Sequence, residues 1–109
     1  MLFHVTWDFV VATEDSERRH VALFAQWQPP AEMDFQAFYI NADYSGGMAI
    51  ADVDSAATLA RCMAPWLPFL RFKATPIEPV ELTMEIRHEA IAFRDSVTTP
   101  VADDAVVMG

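Results

Sequence analysis

The start of the chain alternates between apolar and more polar residues with a period of two. This alternation predicts a β-strand over Leu2–Phe9, because successive side chains of a strand point to opposite faces of a sheet. The strongly apolar face would carry Phe3, Val5, Trp7 and Phe9. His4 and Thr6 would lie on the other face.

Three segments with helical spacing follow along the chain. Residues 13–16 supply side chains typical of a helix start, and Pro29 ends this first helix. Asp54 and Ser55 are suited to cap a second helix over residues 56–63. A third helix is predicted from residue 80 to about 93, with apolar residues on one side and charged residues on the other.

Three further strands are predicted from β-branched and aromatic residues at residues 35–42, 48–53 and 69–75. The second and third strands form a hairpin. Gly46 and Gly47 lie between them and would supply the backbone freedom of a tight turn. The order of the first six elements is therefore β-α-β-β-α-β.

This order predicts an α+β, ferredoxin-like fold with a four-stranded antiparallel sheet, helices on one face and an additional C-terminal helix. Residues 1–94 would form this single domain, and residues 95–109, where the periodicity stops, a flexible tail. With 109 residues the chain has room for one core.

The second and third strands are apolar on both faces, so the sheet face without helices needs a cover. In the second strand, a strict period of two groups Phe35, Ala37 and Tyr39 against Phe38 and Ile40. A second copy of the chain would cover this face in a dimeric α-β barrel, and the third helix is the alternative cover. We therefore expect a homodimer.

The acidic net charge disfavours some classes of partner. The net charge is −9, which disfavours binding to nucleic acid, and no cluster of Lys and Arg is present to bind an anionic membrane surface. No segment approaches about 18 consecutive apolar residues, so no membrane span is expected. Cys62 is the only cysteine, which suits a reducing compartment, and no signal peptide is recognised. The expected location is the cytoplasm.

Several segments in order resemble a small bacterial family known as domain of unknown function 3303. The matching segments are residues 1–7, Glu17-Arg18-Arg19, Phe24, Trp27-Gln28-Pro29-Pro30, Gly46-Gly47, Asp54-Ser55-Ala56-Ala57-Thr58-Leu59 and Pro65-Trp66. The resemblance covers roughly residues 1–80 and implies an α-β barrel-like fold. It implies no activity, cofactor or catalytic residue. The fold also resembles that of the dimeric α-β barrels, which include enzymes and ligand-binding modules.

His4 is the first candidate for chemistry, because a histidine in an apolar strand can act as an acid, a base or a ligand. The alternative is a buried histidine bonded to the backbone or a neighbour. Thr6 shares its side of the strand, and Tyr39, Arg71 and Lys73 could converge on the same cavity, where a cation could pair with an anionic ligand. Alternatively, these charged residues pair with acidic neighbours at the sheet edge.

Other residues favour structural roles. Cys62 is interpreted as a buried apolar residue, His20 as a packing residue of the first helix, and His88 as exposed. The histidines show no metal-ligand spacing, so neither a metal nor a cofactor is predicted. Aromatic residues beside prolines, at residues 27–30 and 65–68, either plug the core or line a pocket mouth or dimer seam.

Three functions remain open from the sequence. The favoured hypothesis is a module that binds or senses a small apolar or anionic molecule. The second is a cofactor-free isomerase or monooxygenase that acts on a small apolar acid and depends on His4. The third is a protein-interaction domain with a filled sheet face. Binding is favoured because no nucleophile motif, metal set or paired carboxylate stands out.

Overall fold

The computed structural model describes residues 1–10 and 13–98. Its elements are β1 (Leu2–Phe9), α1 (Glu14–Gln26), β2 (Met33–Ile40), β3 (Gly46–Val53), α2 (Ala56–Met63), a 3₁₀ turn (Ala64–Trp66), β4 (Leu70–Pro76) and α3 (Val80–Ser96). The predicted first strand has the bounds observed for β1. The predicted tail falls mostly on residues 99–109, outside the described part of the chain.

The four strands form one antiparallel sheet in the order β2-β3-β1-β4. The two central strands, β1 and β3, are separated in sequence by α1 and β2, as the ferredoxin-like order requires. The predicted α+β, ferredoxin-like fold is therefore confirmed. Met1–Ile77 forms one compact unit that holds the sheet, α1 and α2. A second unit begins at Glu78 and contains α3.

Side-chain caps define where α1 and α2 begin. The Thr13 hydroxyl accepts a hydrogen bond from the Ser16 backbone N–H at 3.1 Å. The Ser55 hydroxyl accepts from the Thr58 N–H at 3.3 Å in the same way. Both caps lie within the segments that the sequence predicts as helix starts, and both helices begin shortly after a strand, α1 after β1 and α2 after β3.

The buried core lies between one face of the sheet and α2. Its residues are Phe3, Val5, Trp7, Ala49, Ala51, Val53, Leu59, Cys62, Trp66 and Leu70. We call this face of the sheet the helix side and the opposite face the outer face. Helix α2 buries Thr58, Leu59 and Cys62, whereas α1 buries none of its residues. Helix α1 is therefore held less tightly than α2.

Gly46 and Gly47 correct one detail of the sequence interpretation. They do not belong to the turn: both are buried in β3 and neither has a positive φ. The turn instead places Tyr44 at a φ of 60°. The glycines allow close approach, since a Cβ at Gly47 would lie 2.5 Å from the Trp7 ring and from the Tyr39 carbonyl oxygen.

Helix α3 exposes apolar side chains around its circumference. The exposed set is Val80, Leu82, Met84, Ile86, Ile91 and Phe93. Glu81 lies in its first turn and Arg94 in its last, which suits the helix dipole. No helix in residues 1–10 and 13–98 is both long and apolar enough to cross a membrane.

Candidate functional site

The strand register shows where the five predicted site residues lie. His4, Thr6, Tyr39, Arg71 and Lys73 all occupy the outer face, because their strand neighbours point to the helix side. Alternation along one strand does not show which residues of different strands share a face. The register between the strands does show this. These residues remain a predicted site.

The five candidates lie in three rows across the outer face, and the last of these rows pairs Arg71 with Asp8. Thr6 lies between Met48 and Lys73, and Met48 in turn pairs with Tyr39. His4 lies one row away, between Ile50 and Thr75. In the described part of the chain, no side-chain hydrogen bond or ion pair joins one of the five candidates to another, and Thr6 and Lys73 are neighbours only through the pairing of β1 with β4. The five candidates therefore lie on the same surface, but their side chains are not linked into a preformed site.

A cavity lies on the other face of the sheet. It has a volume of about 80 Å³, is open to solvent on one side, and is lined by residues from α1, α2, the 3₁₀ turn and all four strands. The lining residues are Val5, Trp7, His20, Phe24, Trp27, Met33, Phe35, Phe38, Ile40, Ala49, Leu59, Cys62, Met63, Trp66, Leu70 and Phe72. Phe24 and Phe38 are 54% and 39% exposed, so they form a rim that opens to solvent. We call this space the helix-side cavity.

Aromatic rings make up much of its wall. The Trp27 ring meets the Trp66 ring edge-on with centroids 5.4 Å apart, and the Phe35 and Phe38 rings lie 5.0 Å apart. Phe24 bridges from α1 to Phe38 on β2 at 6.3 Å. These distances are those of favourable edge and tilted ring pairs. The wall is therefore a connected set of rings with an apolar surface.

A β-bulge in β2 creates part of this wall. The register between β2 and β3 shifts between Phe35 and Ala37. As a result Phe35 joins Phe38 and Ile40 on the helix side, whereas Ala37 and Tyr39 lie on the outer face. The strict period of two, which grouped Phe35 with Ala37 and Tyr39, was wrong at this point, since a bulge inserts one residue and reverses parity.

His20 is the one basic side chain among the lining residues. Its ring stacks on Phe69 with centroids 5.3 Å apart and an angle of 8° between the planes, and it meets Trp66 edge-on at 5.3 Å. Desolvation by this aromatic surrounding lowers the pKa of the His20 imidazole. The packing role that the sequence predicted is thus combined with a place in the cavity wall.

Cys62 lines the cavity from α2 and is buried, as the sequence predicts. Burial raises the pKa of its thiol to about 11, because the thiolate would lose its hydration. A thiol with this pKa is almost entirely protonated at neutral pH and is a weak nucleophile. Cys62 is therefore part of the apolar wall.

The sequence did not predict this cavity, and the five residues that it did predict lie on the outer face. The signal that was present is the pair of aromatic residues beside prolines, Trp27 and Trp66, for which a pocket mouth was one interpretation. Both line the helix-side cavity. Among the residues that the structure describes, no group of three or more His, Cys, Asp or Glu side chains could hold a metal ion.

Comparison with known proteins provides a family and no activity. A family model described as "Domain of unknown function (DUF3303)" matches residues 1–91. That range contains the sheet, α1, α2 and most of α3. No curated protein matches the sequence.

Proposed function

We propose that this chain, which belongs to the DUF3303 family, binds a small neutral apolar molecule in the helix-side cavity. The observation that carries the proposal is the cavity itself: about 80 Å³, lined by seven Phe and Trp rings and no formally charged side chain. So apolar a lining offers water few hydrogen-bond partners and offers an apolar ligand many contacts.

The position of α1 provides access to the cavity. Helix α1 buries none of its residues, although Phe24 and His20 on it line the cavity. Because few buried contacts hold α1 to the sheet, it can move outward at low cost while a ligand enters. The exposed rim of Phe24 and Phe38 is the entrance in this arrangement.

The size of the cavity limits the ligand. An apolar cavity of about 150 Å³ holds a benzene ring in the best-studied case, and the volume here is about half that. A single ring would therefore fill this volume and extend into the rim between Phe24 and Phe38. Larger polycyclic molecules would need a larger displacement of α1.

Toluene is a suitable probe, since it is neutral, apolar and has one ring. All three tryptophans of the chain line the cavity, so their fluorescence reports on its occupancy. We expect saturable binding of toluene to the wild type. Ala49→Leu places a larger side chain in the cavity wall and should weaken binding about tenfold, equivalent to about 1.4 kcal/mol.

Ala37→Leu is the matched control, because it makes the same change on the outer face of the neighbouring strand. It should leave toluene binding within a factor of two of the wild type, and circular dichroism should show that both variants are folded. The proposal is contradicted when toluene does not saturate the fluorescence change, or when both leucine variants weaken binding equally.

We also propose that the outer face pairs with the outer face of a second copy of the chain, in the homodimer that the sequence predicts. Charged residues support this partner because two acidic and two basic side chains occupy opposite corners of the face, with Asp8 beside Arg71 at the basic corner. Asp34 and Asp52 are register partners where β2 meets β3. Arg71 and Lys73 lie on β4, at the other sheet edge and toward the other end of the strands.

A two-fold axis along the remaining diagonal would bring the acidic corner of each copy over the basic corner of the other. Between the corners lie Leu2, Met48 and Ile50, which are apolar and half-buried. Burial of these side chains would supply affinity, and the corners would set the orientation. Asp34 is the carboxylate to test, since Asp52 already accepts a hydrogen bond from the Met1 ammonium at 2.9 Å.

Reversal of one charge should weaken this dimer and reversal of its partner should restore it. We expect Lys73→Glu to raise the dissociation constant at least about tenfold in sedimentation equilibrium at low salt. The double variant Lys73→Glu/Asp34→Lys should recover most of the loss. Arg19→Glu makes the same charge change on exposed α1 and is the control. A monomeric wild type, or no recovery in the double variant, would contradict the proposed pairing.

A further inference from the structure

We infer that the ligand of the helix-side cavity is a phenol, that is, a neutral single-ring aromatic molecule with one hydroxyl group. The O–H of this group donates a hydrogen bond to the His20 imidazole. This inference rests on the proposed function, because it names the ligand class of the same cavity. It is carried by the polar groups of the lining, by the packing around His20 and by the absence of charge in the wall.

Few polar side chains line the cavity. They are His20, Cys62 and the three indoles, Trp7, Trp27 and Trp66. An indole N–H only donates a hydrogen bond, and a thiol is a weak donor and a weak acceptor. A neutral imidazole carries one strong acceptor nitrogen. Its other ring nitrogen donates, as the indoles do, so His20 is the one strong acceptor among the lining side chains and a hydroxyl group is the ligand group that can use it.

Packing holds the His20 ring in place. Its plane is almost parallel to Phe69, and the rings of Phe9 and Trp66 also lie 5.3 Å from it, centroid to centroid. Within the described part of the chain, no protein group forms a hydrogen bond with the His20 imidazole. A half-buried acceptor without a partner binds a donor at little cost in ordering, because its orientation is already set.

The protonation state suits an acceptor. Desolvation lowers the pKa of His20, which favours the neutral imidazole at neutral pH. A carboxylate or phosphate ligand would need a cation for charge pairing, and no Lys or Arg lines the cavity. A hydroxyl group needs only the imidazole nitrogen, while the aromatic ring contacts the surrounding rings.

The test compares phenol, toluene and anisole, which have similar size but differ in their ability to donate a hydrogen bond. Their dissociation constants are measured by tryptophan fluorescence for the wild type and for His20→Phe. We expect the ratio of the phenol constant to the toluene constant to rise about tenfold in His20→Phe. The anisole-to-toluene ratio should change less, because anisole has no O–H group and its ether oxygen can only accept. His88→Phe, which makes the same substitution on exposed α3, should change neither ratio.

A second measurement needs no substitution and applies when His20→Phe is poorly folded. The ¹⁵N chemical shift of the accepting ring nitrogen of His20 should move on addition of phenol and stay in place on addition of toluene. An unchanged phenol-to-toluene ratio in folded His20→Phe, or an identical ¹⁵N response to both compounds, would overturn the inference. In either case saturable toluene binding still supports the cavity, whereas its loss would refute the proposed function itself.

Discussion

Gly46→Ala is expected to destabilise the protein by at least about 3 kcal/mol. A Cβ atom at this position would lie 1.8 Å from the Trp7 carbonyl oxygen and 2.9 Å from the carbonyl carbon. Both are backbone atoms of the central strand β1, so no side-chain rotation can relieve the overlap. The two strands would have to separate where Asp8 pairs with Gly46, next to the buried Trp7.

Urea unfolding of wild type and variant measures this loss as a change in midpoint at constant slope. Thr75→Ala is the control, since it changes an exposed strand residue and should shift stability by no more than about 0.5 kcal/mol. A loss of less than about 1 kcal/mol for Gly46→Ala would show that β3 does not need a glycine where it approaches β1.

Cys62 is expected to react with thiol reagents at pH 8 about 100-fold more slowly in the folded protein than in the unfolded chain. The reason is its pKa of about 11, compared with 9.0 for an unperturbed thiol, which reduces the thiolate fraction by this factor. Methyl methanethiosulfonate is a suitable small reagent, with about 6 M guanidinium as the unfolded reference. The chain contains no second cysteine, so the reaction reports this residue alone.

The double variant Cys62→Ser/Ala60→Cys is the matched control, because it moves the thiol to an exposed position of the same helix. It should react at nearly the rate of the unfolded chain. The raised pKa of Cys62 also makes the free energy of unfolding depend on pH. Between pH 9 and pH 11 the folded state retains the thiol proton that the unfolded state loses, so this contribution to stability falls as pH rises. Equal rates for the folded wild type and the folded double variant would contradict the buried position of Cys62.

Much of the fold follows from local patterns in the sequence. The period of two predicts β1 at its observed bounds, and the caps of α1 and α2, Thr13 and Ser55, lie within the segments predicted to start these helices. These features depend on interactions within a few residues, namely alternation along a strand and a side-chain cap on a helix. The order of elements then limits the topology to very few arrangements, and the ferredoxin-like sheet is the one observed.

The candidate site was less accessible from the sequence, because it depends on contacts between distant residues. The bulge between Phe35 and Ala37 arises from pairing with β3, and it turns Phe35 toward the cavity. Gly46 and Gly47 have the composition of a turn, yet Trp7 is the reason they are glycines. His20 has the sequence spacing of an ordinary packing residue. Only the folded structure shows that its ring packs between Phe69 and Trp66 in the cavity wall.

The sequence by itself determined the elements of this protein, their order, the fold class and the residues that begin its helices. Each of these is encoded by neighbouring residues, whose spacing matches the repeat of a strand or a helix. Only the tertiary structure decided that all five predicted site residues share the outer face and that the helix-side cavity exists. Register and cavities depend on how separate segments pair and pack in space, and no local period carries that information.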